Sequence, residues 1–142
     1  MSVFDNDAST YDQWYTTPMG RHVDDVETSC ALALLQPFSG MKILDVGCGT
    51  GVLSLAMYSQ YPDADILAVD RDALALAFTE MNCRENGFQI TTASSLGCAG
   101  VFDRTFDLVM SNIPAKAGLP VIATMLTDFS RLAGPKGTAA VV

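Results

Sequence analysis

The feature that most constrains the fold of this chain is a cluster of glycines that directly follows a short apolar run. Residues Met41-Lys-Ile-Leu-Asp-Val46 have the apolar character of a buried strand, and Gly47-Cys-Gly-Thr-Gly51, here named the glycine turn, comes next. Glycine tolerates the left-handed backbone of a tight turn, and its missing side chain lets a ligand approach the main chain closely. Because helical spacing resumes at Val52, the segment predicts a strand, a ligand-binding turn and a helix whose N-terminus points at the ligand.

Apolar runs alternate with segments of helical spacing through the rest of the sequence. The predicted strands cover residues 41–46, 66–70, 88–93, 106–111 and 138–142. Alternation of strand and helix indicates parallel pairing with right-handed crossovers. We therefore predict an α/β fold, a doubly wound and mostly parallel sheet with helices on both faces. Residues 1–39 are interpreted as a helical leader and residues 40–142 as the core.

Two helices have apolar faces that are predicted to point inward. One begins at the capping residue Asp72 and ends at Asn86-Gly87, and its predicted buried face is Leu74, Ala77, Phe78 and Met81. The other covers about residues 20–36 in the leader, and its predicted buried face is Val23, Val26, Cys30 and Leu34.

Charge and cysteine content exclude several classes of function. The net charge of −8 repels phosphate backbones, so the chain alone is predicted to be a poor non-specific binder of nucleic acid. No apolar run approaches the ~18–20 residues of a membrane span. The cysteines form no C-x-x-C pair and none lies near the only histidine, so we predict reduced, mostly buried thiols and no metal site. Together these features predict a cytoplasmic protein.

Two carboxylates beside the glycine turn indicate which ligand it binds. A dinucleotide fingerprint, G-x-G-x-x-G, would need glycine at the position of Val52. Asp45 lies just before the turn, where it would repel a pyrophosphate but attract a cationic amine or sulfonium. Asp70, at the predicted carboxyl end of the second strand, can accept hydrogen bonds from both hydroxyls of a ribose. The pattern favours S-adenosylmethionine over NAD, with a purely structural turn as the alternative.

Two segments together carry a resemblance to a known family. Leu44-Asp-Val-Gly-Cys-Gly-Thr-Gly51 and Ala68-Val-Asp70 resemble motifs I and II of class I S-adenosylmethionine-dependent methyltransferases. The resemblance covers residues 40–142 and implies a Rossmann-like sheet, of which the sequence accounts for five of the family's usual seven strands. It also implies that the leader aromatics Tyr11, Trp14 and Tyr15 close over the cofactor, with plain packing against the sheet as the alternative.

The resemblance implies a role for each matching residue. Asp45 and the turn backbone would hold the methionine part, Asp70 the ribose, and Arg71 would lie along the adenine. The segment Ala93-Ser-Ser-Leu96 matches motif III, and Ser95 stands where the family usually has an acid that accepts the adenine amino group. The complete predicted set of cofactor-binding residues is Asp45, Gly47, Cys48, Gly49, Gly51, Asp70, Arg71, Ser95, Leu96 and Asn112.

Ser111-Asn-Ile-Pro-Ala-Lys-Ala-Gly118 follows the predicted fourth strand and resembles the N-P-P-[FY] loop of methyltransferases that act on amino groups. The match is greatest with the small-domain type found in ribosomal RNA guanine methyltransferases, and it makes Asn112 and Pro114 the predicted catalytic residues. An asparagine oxygen and the next carbonyl can accept hydrogen bonds from a target amine, so positioning supplies much of the rate. Ala115 replaces the aromatic that would stack on a base, which weakens the RNA interpretation. A rigid turn is the alternative for this loop.

The leading hypothesis is a methyltransferase that moves a methyl group to a nitrogen or oxygen nucleophile of a small molecule or RNA. A non-catalytic cofactor-binding or scaffold domain is the first alternative, and a nucleotide-dependent oxidoreductase is the less favoured one. The apolar strand 138–142 would leave an unpaired edge. We therefore expect either a missing C-terminal segment or a second copy of the chain to cover it.

Overall fold

The computed structural model describes residues 16–113 and 116–141, and these form four α-helices and five β-strands. The first compact unit of the chain ends at Pro37 and the second begins at Phe38. The elements in chain order are α1 (Pro18–Leu35), β1 (Lys42–Val46), α2 (Val52–Gln60), β2 (Asp65–Asp70), α3 (Ala73–Asn86), β3 (Thr91–Ser94), β4 (Leu108–Ser111), α4 (Leu119–Leu132) and β5 (Thr138–Val141).

The strands form one parallel sheet in the order β3-β2-β1-β4-β5. Two crossovers therefore run from β1 towards β3, and the chain then returns to the other side of β1 for β4 and β5. This reversal makes a topological switch point between β1 and β4, and ligands of such sheets bind at the carboxyl ends of the strands there. In register, Asp45 lies between Ala68 and Met110.

Helices cover both faces of the sheet, because side chains along a strand alternate between its faces. Leu44 and Val46 of β1 share a buried cluster with Phe129 of α4. On the opposite face, Ala68 of β2 packs with Leu76 of α3. The predicted α/β, doubly wound fold with helices on both faces is therefore confirmed.

Helix α3 begins and ends as the sequence predicts, but it buries a different face. Asp72 caps it by accepting a hydrogen bond from the Leu74 amide at 2.9 Å, and Gly87 ends it in the left-handed conformation. The buried residues are Leu76, Thr79 and Cys83. The predicted face was wrong, since all four of its side chains are exposed: Leu74, Ala77, Phe78 and Met81. The helix carries apolar residues on more than one face, so hydrophobic periodicity alone does not show which face packs against the sheet.

The predicted inward face of α1 is wrong at Val26 and Cys30 but not at Val23. Val26 is 47% exposed, Cys30 is exposed and Val23 is half-buried, whereas the side chain of Leu34 lies outside the described ones. None of the helices in the described part of the chain has the length and hydropathy needed to cross a membrane.

Candidate functional site

The glycine turn lies at the carboxyl end of β1 and is attached to the end of β2. Gly47, Gly49 and Gly51 all have positive φ angles, of 70°, 57° and 87°. The amides of Gly47 and Cys48 both donate to the carbonyl oxygen of Val69, at 2.8 and 3.0 Å. The predicted strand, turn and helix are therefore present, and the turn stands where sheets of this topology bind ligands.

Asp70 joins the end of β2 to the glycine turn through its carboxylate. Its Oδ2 accepts a hydrogen bond from the Gly49 amide at 2.9 Å, and its Oδ1 accepts one from the Asp72 amide at 2.9 Å. The side chain is half-buried. Each carboxylate oxygen can accept more than one hydrogen bond, so both keep capacity for the hydroxyls of a ribose.

Asp45 is a buried carboxylate with one satisfied oxygen. It is 1% exposed, and its Oδ2 accepts a hydrogen bond from Ser54 Oγ at 2.7 Å. Among the side chains that the structure describes, its Oδ1 is the only buried nitrogen or oxygen without a hydrogen-bond partner. Burial raises the pKa of Asp45, the bond from Ser54 opposes that rise, and the charge of Asp70 adds to it. A cationic ligand would offset the penalty of the buried charge, so these residues fit an amine or sulfonium.

The segment after β3 contains the residues predicted for the adenine. Ser95 is buried, and its hydroxyl donates to the Gly97 carbonyl at 2.8 Å and accepts from the Gly100 amide at 3.2 Å. Its own amide donates to the Asp70 carbonyl at 2.9 Å. Leu96 is 72% exposed at the same edge of the sheet. Ser95 thus shapes its own turn, and its predicted role as an adenine acceptor depends on the remaining lone pair.

The segment after β4 lies at the same carboxyl edge of the sheet, on the β4 side of the switch point. Ser111 is buried, and its hydroxyl donates to the Val46 carbonyl at 2.7 Å, which ties the ends of β1 and β4 together. Asn112 follows and is exposed, and Ile113 packs against the core. Pro114 and Ala115 lie outside the described residues, as do the leader aromatics Tyr11, Trp14 and Tyr15.

The comparison with protein families shows which family the chain belongs to. The profile of the family described as "Methyltransferase small domain" matches residues 21–142. The chain belongs to this family. The predicted resemblance to class I S-adenosylmethionine-dependent methyltransferases of the small-domain type is therefore confirmed, and the glycine turn and Asp70 lie inside the matched segment.

Curated relatives in the methyltransferase small domain family are considerably longer than this chain. A protein named ribosomal RNA small subunit methyltransferase C, from Shewanella pealeana, is 37% identical over 105 residues, which cover 74% of this chain and 30% of that protein. A protein of the same name from Pasteurella multocida is 38% identical over 96 residues, which cover 67% of this chain and 29% of that protein. The chain thus spans about 30% of the length of these relatives.

Solved structures of other methyltransferases share the fold. A ribosomal protein L11 methylase from Lactobacillus delbrueckii subsp. bulgaricus superposes with a TM-score of 0.61 at 25% identity, over 71% of this chain and 50% of that one. Coclaurine N-methyltransferase, solved with N-methylheliamine and SAH, superposes with a TM-score of 0.72 at 17% identity, over 87% of this chain and 36% of that one. The second likeness concerns the fold alone, because its identity is low.

Three polar residues near the glycine turn carry no signal that sequence reasoning could use. Ser54 bonds to Asp45, Thr79 donates to the Gly49 carbonyl at 2.9 Å, and Asn82 donates to the Thr50 carbonyl at 3.0 Å. All three lie within helices that are predicted from the spacing of their apolar residues, so the polar residues add nothing to the prediction. A buried serine or threonine in a helix is indistinguishable from a surface one until its partner is known.

Two open cavities of about 420 and 450 Å³ lie at the opposite, amino-terminal end of the sheet, where Asp65 and Thr91 line both. The candidate site is therefore located by strand topology and by the buried carboxylate of Asp45 rather than by cavity size. In the part of the chain that the structure describes, no group of three or more His, Cys, Asp or Glu side chains is placed to hold a metal ion.

Proposed function

We propose that this chain is the cofactor-binding part of a methyltransferase that uses S-adenosylmethionine to methylate a nitrogen or oxygen nucleophile. The observation that carries the proposal is the unpartnered Oδ1 of Asp45, a buried carboxylate oxygen two residues before Gly47. A buried, unpartnered carboxylate costs stability, and a ligand with an ammonium or sulfonium group would offset that cost. Asp70, on the next strand, offers the acceptors that a ribose needs.

The residue roles proposed for the cofactor follow the matched motifs. Asp45 and the backbone of residues 47–49 would hold the methionine part, and Asp70 would accept the ribose hydroxyls. Arg71 and Leu96, both exposed at this edge, would lie along the adenine. When bound, S-adenosylmethionine supplies an electrophilic methyl group on a sulfonium.

Asn112 is the proposed positioning group for the acceptor. Its side-chain oxygen would accept a hydrogen bond from the acceptor N–H or O–H and so aim the lone pair at the methyl carbon. In the displacement the bond from the acceptor to carbon forms, the bond from sulfur to carbon breaks, and water takes the acceptor proton. Orientation and proximity supply the acceleration, so the chain needs no strong base. Pro114 would keep this loop rigid.

RNA is the acceptor that we place first, because the curated relatives are named ribosomal RNA methyltransferases. Arg71 and Lys116 are exposed near the proposed site and can contact a phosphate. The net charge of −8 opposes RNA binding by this chain alone. We therefore propose that a basic surface outside this chain contributes most of the RNA contact. Methylation of a small molecule is the other outcome that the test distinguishes.

Three proposals concern the surroundings of the domain. β5 pairs with β4 in the described residues, and Val141 is 42% exposed. We propose that further polypeptide, either a following segment or a second copy of the chain, covers its outer edge, because an open strand edge invites pairing. We also propose that the leader, residues 1–39, closes over the cofactor, and that the protein acts in the cytoplasm.

The first experiment measures ligand binding. Calorimetry with S-adenosylmethionine, SAH and NAD is expected to show binding of the two sulfur ligands by the full chain and none of NAD. Asp70→Ala should abolish or greatly weaken that binding. Asp107→Ala is the matched control, because Asp107 Oδ2 also accepts a backbone N–H, that of Lys42 at 2.7 Å, but at the amino-terminal edge of the sheet. Absence of sulfur-ligand binding, or equal binding by Asp70→Ala, would refute the proposal.

The second experiment separates an enzyme from a non-catalytic cofactor-binding domain, which Ser95 and Ala115 favour because each departs from the family motif. Tritiated methyl transfer is followed into the RNA and small-molecule fractions of a cell extract. Asn112→Ala is expected to lose transfer by roughly 100-fold or more, as a lost positioning group does, and this loss should exceed any change in SAH binding, because Asn112 is also a predicted cofactor contact. Equal transfer by Asn112→Ala would remove Asn112 from the mechanism, and transfer by neither protein would favour the non-catalytic alternative.

A further inference from the structure

The glycine turn has one internal backbone hydrogen bond, from the Gly51 amide to the Cys48 carbonyl at 2.9 Å, and its other backbone hydrogen bonds come from outside the turn. Of its five residues, Gly47, Gly49 and Gly51 are glycines in the left-handed region. Glycine occupies left- and right-handed conformations with similar ease, so these residues impose little preference of their own. The structure of the turn must therefore come from the groups that bond to its amides and carbonyls.

Two side chains of α3 bond to consecutive carbonyls of the turn. Thr79 Oγ1 donates to the Gly49 oxygen at 2.9 Å, and Asn82 Nδ2 donates to the Thr50 oxygen at 3.0 Å. The amide of Gly49 donates to Asp70 on the other side. Gly49 is therefore held at both its N–H and its C=O, by the residue that ends β2 and by the helix that follows it.

Thr79 also fits the shape of the turn. Its side chain is fully buried, and a Cβ added to Gly51 would lie 2.7 Å from Thr79 Cγ2. The methyl group therefore packs directly against the glycine, while the hydroxyl bonds to Gly49. A threonine combines these two contacts, and neither valine nor serine alone does.

We infer that Thr79 and Asn82 are positioning residues that hold the glycine turn in its ligand-binding shape before the ligand arrives. This inference rests on the proposed function, since the ligand is the cofactor. A turn that is ordered in advance loses less conformational entropy on binding, so removing either contact should weaken binding without touching the ligand. A loss of about 3- to 10-fold per contact corresponds to one hydrogen bond.

The test uses isosteric and rescue variants of the full chain. Thr79→Val removes the hydroxyl and keeps the shape, Thr79→Ser keeps the hydroxyl, and Asn82→Ala removes the amide. Thr127→Val and Asn86→Ala are the controls, because each side chain bonds only to a backbone carbonyl of its own helix. Thr127 donates to the Ala123 carbonyl in α4, and Asn86 donates to the Asn82 carbonyl in α3. Hydrogen exchange of the peptide containing residues 47–52 is measured without ligand, and SAH binding is measured by calorimetry.

We expect Thr79→Val and Asn82→Ala to speed exchange in this peptide and to weaken SAH binding by about 3- to 10-fold each. Thr79→Ser should bind SAH nearly as the unmodified chain does, and both controls should change neither measurement. Unchanged exchange in Thr79→Val and Asn82→Ala would overturn the inference, whatever happens to binding. If the unmodified chain binds no SAH, the proposed function fails, and exchange still decides whether these residues hold the turn.

Discussion

Ser54 on α2 donates a hydrogen bond to Asp45 on β1, with 2.7 Å between Oγ and Oδ2, and both side chains are buried. The glycine turn separates the two residues in sequence, so closing the turn is what brings the serine to the carboxylate. The second carboxylate oxygen has no partner among the described residues. One oxygen of Asp45 is thus hydrogen-bonded, and the other is buried without a partner. The unpartnered oxygen reduces the stability of the protein and favours a cationic ligand.

Ser54→Ala should destabilise the free protein. The substitution leaves the buried Asp45 carboxylate without its hydrogen bond, and a buried acceptor that loses its donor costs about 1–3 kcal/mol. Ser59→Ala on the same helix is the control, because Ser59 is exposed and bonds only to the nearby Ala56 carbonyl. Its effect should stay within about 0.5 kcal/mol. Urea denaturation at neutral pH measures both, and equal losses in the two variants would contradict the expectation.

Asp45→Asn should change how stability depends on pH. Burial raises the pKa of Asp45 above its usual 3.8, so above that pH the native state holds this proton more tightly than the unfolded state does. Stability from this group is therefore fully present below pH 3.8 and is lost as the pH rises through the raised native pKa.

Asparagine does not titrate, so the unfolding free energy of the Asp45→Asn variant should fall less than that of the unmodified chain over the same rise in pH. The difference in unfolding free energy, variant minus unmodified chain, should become more positive as the pH rises, and SAH binding should be lost at every pH. Urea denaturation at a series of pH values from 4 to 8 makes the comparison. A difference that does not vary with pH would show that Asp45 has no raised pKa.

Much of the architecture follows from local sequence signals. The parallel sheet, the glycine turn, the Asp72 cap and the Gly87 stop are all encoded by a few residues with strong preferences, and the structure has all of them. Strand ends were less accurate. Phe88 was assigned to β3 but precedes it and packs on Tyr58, with 5.0 Å between ring centroids, because an apolar residue can join the core without joining a strand.

The supporting side chains of the site could not be predicted. Ser54, Thr79 and Asn82 are small polar residues in helices, and their roles depend on which carboxylate or carbonyl the fold brings to them. The same tertiary requirement explains the face of α3. The side that carries Thr79 fits the glycine turn and the sheet, whereas the side that carries Leu74 is more apolar but is exposed.

The four cysteines should differ sharply in reactivity. Cys30 is exposed, whereas Cys48, Cys83 and Cys98 are buried. Burial raises the pKa of Cys48 and of Cys98 to about 11, so almost none of either thiol is ionised near neutral pH. Iodoacetamide at pH 7.5 (about one unit below a free thiol's usual pKa) should therefore modify Cys30 first. Mass spectrometry of the digested protein follows the reaction, and Cys30→Ser should remove the fast phase.

Unfolding in urea should bring the other three thiols to a common fast rate. Fast modification of Cys48 in the folded chain would contradict its burial. Because Cys48 lies in the glycine turn, a higher modification rate without SAH than with it would show that the turn opens in the free protein.

Gly51→Ala should be more destabilising than another glycine substitution with a similar backbone. Gly51 and Gly87 have φ angles of 87° and 69°, so alanine is strained by roughly 1–2 kcal/mol at either position. An added Cβ at Gly87 meets nothing within 4 Å, whereas one at Gly51 would lie 2.7 Å from Thr79 Cγ2. Because Thr79 is buried and cannot move aside freely, the close contact should add about 1–3 kcal/mol at Gly51 only.

A double-mutant cycle isolates that contact. Thr79→Ser removes the Cγ2 methyl and keeps the hydroxyl, so it should recover part of the stability that Gly51→Ala loses, with a coupling of about 0.5–3 kcal/mol. The same serine substitution combined with Gly87→Ala should give additive losses, because Gly87 has no neighbour to relieve. Urea denaturation of the six proteins supplies the cycle. Additive losses for Gly51→Ala and Thr79→Ser would mean that the helix and the turn do not constrain each other at this contact.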